Sequence, residues 1–484
     1  MKKLYLLFFV IMLFSCNGNK EHISYPQKYH KVKLQEYFNL LYGYAEQSND
    51  EYAGAMVADD NGNIYFTVNE DGQLAIVALD KNGNARWSYA WDDIYYDGVF
   101  NCDKDKWMEG GMASSLVQDT DYLYAIANSS DVPANNIFSV VVLKIDKSNG
   151  KLVWAKKWNH KPANVPTRAS NDLAYALAVD DNNVYVTGTL GDDKVLLLIY
   201  DKKDGNLKFQ GEFELSNLSK DIGTVAKIAP DGSLYIAGMS GNKTFLAKFF
   251  VQGKSYPQLL WVKTISTGYR ICVDDMDIDE DGNIYLAFNT EGKSTRFMIA
   301  KLDELSDFIW LKIFPAERSN LNATRFVKVY GKYLYVGGRV AMEGLNNKSG
   351  DGIVMKLDKE TGDVASWYLY YTGNENDNYS MHDIEAVVKT NDGFVVFGQV
   401  LGAPNNISNY TGVWLTANTI TSQSSKLQIS GWDTDVKIEK LENTKNEDVK
   451  NKYFLNDIKL MKPYEKKMLN APDYDVFVLK VKEF

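Results

Sequence analysis

The side chains best suited to chemistry fall into three groups. The first is a set of charged residues standing just ahead of apolar strand-like runs: Glu109, Asp172, Asp274 and Asp383, with Arg270 and Arg325 among them. Brought together, such groups could hold a cation or a polar ligand, or could supply the two acids of glycoside hydrolysis. His382 and Asp383 beside Glu385 form the one acid–base cluster that adjoins in sequence. The second group is Trp91-Asp92-Asp93-Ile94-Tyr95-Tyr96, continuing to Trp107. Aromatic faces next to carboxylates can stack on a sugar ring and accept its hydroxyl hydrogens; the same rings also suit burial against a neighbouring surface. The third is Asp277-x-Asp279-x-Asp281-Gly282, which imitates the start of a calcium loop. Phe288 stands where that loop needs its bidentate acid, and the Asp-Gly pair equally suits a tight turn.

No catalytic constellation is assembled in the sequence. His22, His30, His160 and His382 lack metal-ligand spacing, and no Ser-His or Cys-His pairing is suggested. The expectation is therefore no catalytic residues, no metal and no cofactor. Cys102 and Cys272 precede inner strands of repeats expected to stand well apart around a ring, farther than the about 7 Å between Cα atoms that a disulfide allows, and are expected as two unpaired thiols. The net charge of −10 becomes −12 once Lys2 and Lys3 are removed with a leader. That balance leaves no basic surface for a nucleic-acid backbone.

A repeat positions these residues. An apolar run, an Asp/Asn/Gly turn, then an apolar residue and Tyr recur, ending at Tyr65, Tyr124, Tyr185, Tyr235, Tyr285, Tyr335 and Val395. The spacings are 59, 61, 50, 50, 50 and 60 residues, the mark of one array rather than several domains. Asp-Gly and Asn-Gly provide the positive φ of tight hairpins, so each phrase predicts two antiparallel strands. A third strand follows, as in Val141–Asp146, and a fourth carries an aromatic: Trp87, Trp154, Phe209, Trp261, Trp310 and Trp367. Four short strands repeated seven times predict an all-β, seven-bladed β-propeller, with those aromatics packed between blades.

The ring closes through its ends. The stretch from Val32 to Tyr44 fits a fourth strand, and Asp475 to Val481 a third with no fourth after it, so the N-terminal strand is expected to complete the last blade. Residues 402–473 then read as an insertion, with 437–467 as a lid or free excursion; alternatively, 413–419 is the third strand and the tail packs elsewhere. Tight turns gather on one face, and long connections on the other. The long-loop face is the expected binding face, and the first group of charges would line the mouth of its channel.

Lys2-Lys3 followed by eleven apolar residues, Leu4 to Phe14, is too short to cross a bilayer and reads as an export signal. Leu13-Phe14-Ser15-Cys16 resembles the lipobox of bacterial lipoproteins, which implies acylation of Cys16 after loss of residues 1–15. Residues 16–31 would be the tether and 32–484 a single propeller domain. Lys20-Glu21 resembles the surface-export signal of Bacteroidetes lipoproteins.

The repeat phrases resemble those of seven-bladed and quinoprotein-like propellers, whose Asp-x-x-Thr-Gly turn and following Trp are best matched by Asp358 to Trp367. Quinoprotein dehydrogenases keep vicinal cysteines beside the cofactor. Cys102 and Cys272 are not vicinal, so the resemblance implies no quinone here. Outer-membrane assembly lipoproteins share the anchor-plus-propeller plan, which implies a scaffold role. The combined expectation is a monomeric, lipid-anchored protein of a Gram-negative outer membrane or cell surface. It would bind a glycan or an envelope protein without catalysis; the alternative is a polysaccharide-active hydrolase or lyase using the channel-mouth acids.

Overall fold

In four of the seven repeats an Asp opens the turn and gathers the hydrogen bonds that make the hairpin. Asp59 Oδ1 accepts the backbone N–H groups of Asn61 and Asn63, both at 2.9 Å, and Asp59 Oδ2 accepts the hydroxyl of Tyr65 at 3.1 Å. Asp119 with Tyr124, Asp180 with Tyr185, and Asp279 with Tyr285 repeat the arrangement. The repeated Tyr is therefore a structural partner of the turn.

The computed structural model describes residues 28–483, apart from 33, the connections 43–50, 71–72, 96–98, 102–105, 109–115, 133–136, 161–171, 192–193, 216–219, 254–255, 267–270, 291–296, 315–322, 341–350 and 372–381, and, between 402 and 473, all but seven short strands. The innermost strands are Glu51–Ala58, Leu116–Gln118, Leu173–Val179, Asp221–Ile228, Ile271–Ile278, Ala323–Tyr330 and His382–Thr390, here blades 1 to 7. Each touches the next, and the seventh touches the first, which closes the ring. Outward from each lie three more antiparallel strands; in blade 3 these are Asn183–Leu190, Lys194–Asp201 and Leu207–Phe213. In blade 7 the third strand is Tyr474–Val481 and the fourth is Glu36–Tyr42, so the N-terminal strand completes the last blade.

The fourth-strand aromatics lock one blade to the next. Trp87 is 7% exposed and packs with Leu123, Val141 and Ile145 of blade 2. Its indole N–H donates to the Lys147 carbonyl (3.1 Å), as Trp154 donates to Lys202 and Trp310 to Lys359 (both 3.3 Å). The turn glycine after each of these lysines lies under the same ring. A Cβ on Gly150 (φ 72°) would come within 2.7 Å of Trp87, and one on Gly362 (φ 70°) within 3.0 Å of Trp310. The Gly and the Trp of the signature thus meet across blade boundaries.

The stretch between Leu401 and Tyr474 departs from the expected lid. Its strands Ser408–Val413, Asn418–Ile420, Gln428–Trp432, Glu439–Lys440, Thr444–Asp448, Phe454–Leu455 and Leu460–Met461 pair antiparallel with the outermost strands of blades 6, 5, 4, 3, 2, 1 and 7, in that order. The chain runs once around the rim as a belt. Sheet twist accumulates at roughly 20–25° per strand, turning each outer strand toward the circumference. One chain travelling backwards around the ring can therefore be antiparallel to all seven. Residues 413–419 are accordingly not a third strand. Lys28–Val32, read above largely as tether, pairs with Ser408–Val413 as a sixth strand of blade 6.

Candidate functional site

Six inner strands carry a β-bulge near their start, at Gly54-Ala55, Tyr175, Thr224, Asp274, Arg325 and Glu385. A bulge re-aims its side chain out of the pleat. The same step around the ring thus brings Asp274, Arg325 and Glu385, from blades 5, 6 and 7, into one group. All lie within four residues of the start of their strands, at the end facing the blade-to-blade connections. The tight turns close the opposite ends.

Arg325 is the centre of this throat. Its Nε and Nη2 donate to a single oxygen, Asp383 Oδ2, at 3.0 and 2.8 Å. Nε also lies 3.5 Å from Glu385 Oε1, and Arg339 Nη1 lies 3.9 Å from Asp383 Oδ2. Asp383 and Glu385 are 1% and 2% exposed, yet Asp383 Oδ1 and Glu385 Oε1 accept no hydrogen bond. An arginine–carboxylate pair usually engages both oxygens; here one oxygen of each carboxylate is buried without a hydrogen bond, that of Glu385 still facing the guanidinium.

Asn289 positions the arginine. Its side-chain amide accepts the Thr324 N–H at 2.7 Å and donates to the Thr324 carbonyl at 3.2 Å, clamping the residue just before the bulge. It also donates to Asp274. Asn128 clamps Ala174 ahead of Tyr175 in the same way. These residues stand four after the repeated Tyr. That offset, polar in every repeat except at Met239, is a signal in the sequence that the reading above did not use.

Electrostatics divide the carboxylates by face. Burial raises the turn aspartates, but at Asp59 hydrogen bonds from Asn63, Tyr65 and Asn61 outweigh it and hold the carboxyl below its usual range. Asp119 and Asp279 behave likewise. In the throat the balance reverses. Burial pushes Asp274 up to about 8 against the pull of Arg325, and repulsion from Asp383 adds to it. Burial also drives Glu385 well above the carboxylate range, opposed by Arg325.

Of the charges expected at the mouth, the structure brings together Asp274, Arg325 and Asp383. Asp172 is fully buried, and its Oδ2 accepts the His160 backbone N–H at 2.7 Å, so it ties the end of the blade 2 fourth strand. Asp221 does the same for Leu215 N–H (2.5 Å). His382 begins the blade 7 inner strand, and its side chain lies outside the described residues, as do Glu109 and Arg270. Trp91, Asp92, Asp93 and Tyr95 continue the strand Ala85–Tyr95 rather than forming a loop, and Trp107 lies on a two-stranded hairpin opposite Phe100. Their side chains, together with Tyr96 and Cys16, lie outside the described residues. The calcium-like acids are committed elsewhere: Asp277 accepts the Val329 N–H, and Asp279 serves its turn. Cys272 is corrected, being disulfide-bonded and packed on Met239. The free-thiol expectation rested on placing the two cysteines ahead of inner strands of blades well separated around the ring, and the disulfide at Cys272 overturns it.

A family model described as outer membrane protein assembly factor BamB matches residues 49–243, less than half of the chain. The chain resembles the PQQ-like propellers. No curated protein matches. Among solved structures, BamB from Moraxella catarrhalis is 13% identical, with 81% of this chain and 100% of that chain covered and a TM-score of 0.38. Quinohemoprotein alcohol dehydrogenase ADHIIG from Pseudomonas putida HK5 is 10% identical, with coverage of 83% and 77% and a TM-score of 0.41. The periplasmic gluconolactonase PpgL of Pseudomonas aeruginosa is 14% identical, with 68% and 94% covered and a TM-score of 0.41. At these identities none speaks to ligand or reaction.

Proposed function

We propose that this protein is a lipid-anchored envelope propeller that binds a glycan or protein partner on its long-loop face and catalyses no reaction. The observation that carries the reading is the contrast between the two ends of the channel. At the tight-turn end the repeat aspartates are saturated by their own turns. At the other end buried oxygens of Asp383 and Glu385 accept no hydrogen bond beside a partly exposed arginine, whose side chain is 14% accessible. Unsatisfied polar groups are costly to bury, and two carboxylates of the throat, Asp383 and Glu385, each carry one such oxygen. The partial match to an outer-membrane assembly factor and the Cys16 lipobox support the address.

The test compares glycan-array binding with capture of envelope proteins by the mature protein. Trp91→Ala with Tyr96→Ala should reduce whichever partner is found at least tenfold while leaving melting temperature nearly unchanged. Loss of stability without selective loss of binding would make these rings packing residues. Cys16→Ser should abolish acyl labelling, and persistent labelling would overturn the anchor.

The hydrolase reading has one observation in its favour: Asp274, held largely protonated, lies near the Asp383 carboxylate. It requires reducing ends to be released from polysaccharide by the wild type and not by Asp274→Asn.

A further inference from the structure

We propose that the tight-turn face carries a second partner surface at the boundary of blades 4 and 5. It is an apolar patch of Tyr256, Leu260, Leu305 and Ile309, rimmed by carboxylates, and it takes a protein segment that sets apolar side chains beside lysine or arginine. The long-loop reading above is not needed for it.

The patch begins with a repeated irregularity. At the start of every fourth strand the register slips and one residue is left over. A bulge of this kind turns its side chain out of the pleat. In blades 1 and 3 the residue is Arg86 or Lys208, as solvent would favour. Val153 and Tyr37 stand there singly in blades 2 and 7. The adjacent blades 4 and 5 present Leu260 and Ile309, both exposed.

The turn before Ile309 departs in the same direction. Asp303 Oδ1 accepts the N–H groups of Leu305 and Asp307 at 3.0 and 2.8 Å, as Asp80 Oδ1 accepts those of Asn82 and Asn84 in blade 1, both at 2.8 Å. The turn is the same, but Leu305 replaces Asn82 and is 65% exposed. Ser306 holds φ 63° where blade 1 has Gly83, and among the described residues it is the one non-glycine with positive φ. A costly backbone conformation that presents an exposed leucine is an outlier of the kind that accompanies function.

The two blades form one surface. Lys263 of the blade 4 fourth strand donates to the Leu305 carbonyl. Trp261 and Phe308 pack from the two blades against the same core. Trp261 is partly exposed, whereas the aromatics at its position in blades 1, 2, 3, 5 and 6 are buried. Tyr256 lies edge-on to Phe209, centroids 4.9 Å apart, and carries the patch toward blade 3. Apolar patches rimmed by polar residues mark protein contacts.

Charge names the occupant. The ion pairs around the patch turn lysine inward and acid outward: the Lys301 side chain is 3% exposed against 65% for Glu360, and Lys263 23% against 72% for Asp307. Glu280, Asp281 and Glu304 add exposed acids on the blade 5 turns. A second copy of this chain would set acid against acid, and an anionic membrane surface would be repelled in the same way. A segment with basic residues beside apolar ones fills the patch and pairs with the rim.

The experiment titrates the full mature protein, by fluorescence anisotropy, with three labelled short peptides of alternating Leu-Lys, Leu-Glu and Ser-Lys. The Leu-Lys peptide should bind, and the other two should bind at least about tenfold more weakly. Leu260→Asn with Leu305→Asn, the second of which restores the blade 1 residue, should weaken the Leu-Lys peptide about tenfold or more and leave the melting temperature nearly unchanged. Val153→Asn, the same change at the blade 2 bulge, should leave that affinity as it is. Trp91→Ala with Tyr96→Ala should also leave it unchanged, so this surface and the long-loop surface stand or fall separately. The proposal is overturned if the Leu-Lys peptide does not bind, if Leu-Glu binds as tightly, or if Val153→Asn costs as much as the patch variant. It is equally overturned if the wild type is a dimer in size-exclusion chromatography that the patch variant dissociates, or if it binds anionic phosphatidylglycerol vesicles and the patch variant does not.

Discussion

Arg325 spends both of its described hydrogen bonds to Asp383 on one carboxylate oxygen, at 3.0 and 2.8 Å, and leaves the other oxygen buried and open. The pair therefore holds the blade 6 and blade 7 inner strands together through one oxygen and leaves the other buried without a hydrogen bond.

Arg325→Leu should be strongly destabilising, because it removes the nearer counter-charge of Asp383 and Glu385 and leaves them only Arg339, 3.9 Å from Asp383. Removing one partner of a buried ion pair costs about 3–5 kcal/mol. Arg325→Lys keeps the charge but loses the planar fork and should cost less. Urea unfolding of the two variants checks the order; equal losses would mean that the charge contributes nothing.

The throat also predicts a pH dependence with a definite sign. Asp274 has a folded pKa of about 8 against an ordinary value of 3.8. Between those values the native state holds the proton and the unfolded state does not, so the stability this group allows falls as pH rises toward 8. The turn aspartates, held low, do not titrate in that window. His160 is depressed by burial despite Glu212, so it lowers stability as pH falls below about 6.5, in the opposite sense. Comparing Asp274→Asn with wild type cancels His160. Between pH 5 and 8 the variant should lose less stability than wild type, by on the order of 1–3 kcal/mol. Parallel curves would show that Asp274 is ionised in the fold.

Trp310 tests the blade-to-blade lock. Trp310→Phe removes the hydrogen bond to the Lys359 carbonyl and should cost about 1 kcal/mol. Trp310→Ala also opens a cavity between blades 5 and 6 and should cost about 3–5 kcal/mol. Thermal melts of both variants give the comparison; an alanine variant as stable as the phenylalanine one would mean that the ring is not packed.

These contrasts explain what the sequence disclosed. Trp87, Trp154 and Trp310 were legible as interblade residues because a period of 50–60 residues carries both fold and packing. Asp274, Arg325 and Asp383 could be grouped because equivalent offsets in successive repeats become neighbours around a ring. Asp172 shares nearly the same offset and yet caps a backbone N–H, a choice set by what lies beside it. Glu385 was visible as a neighbour of Asp383, but its aim depends on a bulge, and a bulge has no residue signature of its own. The rim strands were illegible for a related reason. Pieces such as Glu439–Lys440 and Leu460–Met461 are two residues long, and a pairing that short leaves no alternation to read.

The belt supplies the last prediction. Leu401 and Tyr474 are direct partners in adjacent antiparallel strands of blade 7, so residues 402–473 can be replaced by a two-residue Asn-Gly turn without stretching the blade. The shortened protein should keep its seven-bladed ring, because the inner-strand contacts and the Trp locks lie elsewhere. It should also expose the outer edges of blades 1 to 5 and 7, each now covered by a belt strand, and blade 6 would lose both Ser408–Val413 and the Lys28–Val32 strand that pairs only with it. Uncovered edges are templates for pairing with other chains. The expected outcome is a β-rich circular dichroism spectrum close to wild type, together with concentration-dependent association in size-exclusion chromatography. A shortened protein that stays monomeric at high concentration would show that the outer strands protect themselves, and one that fails to fold would make the belt part of ring closure.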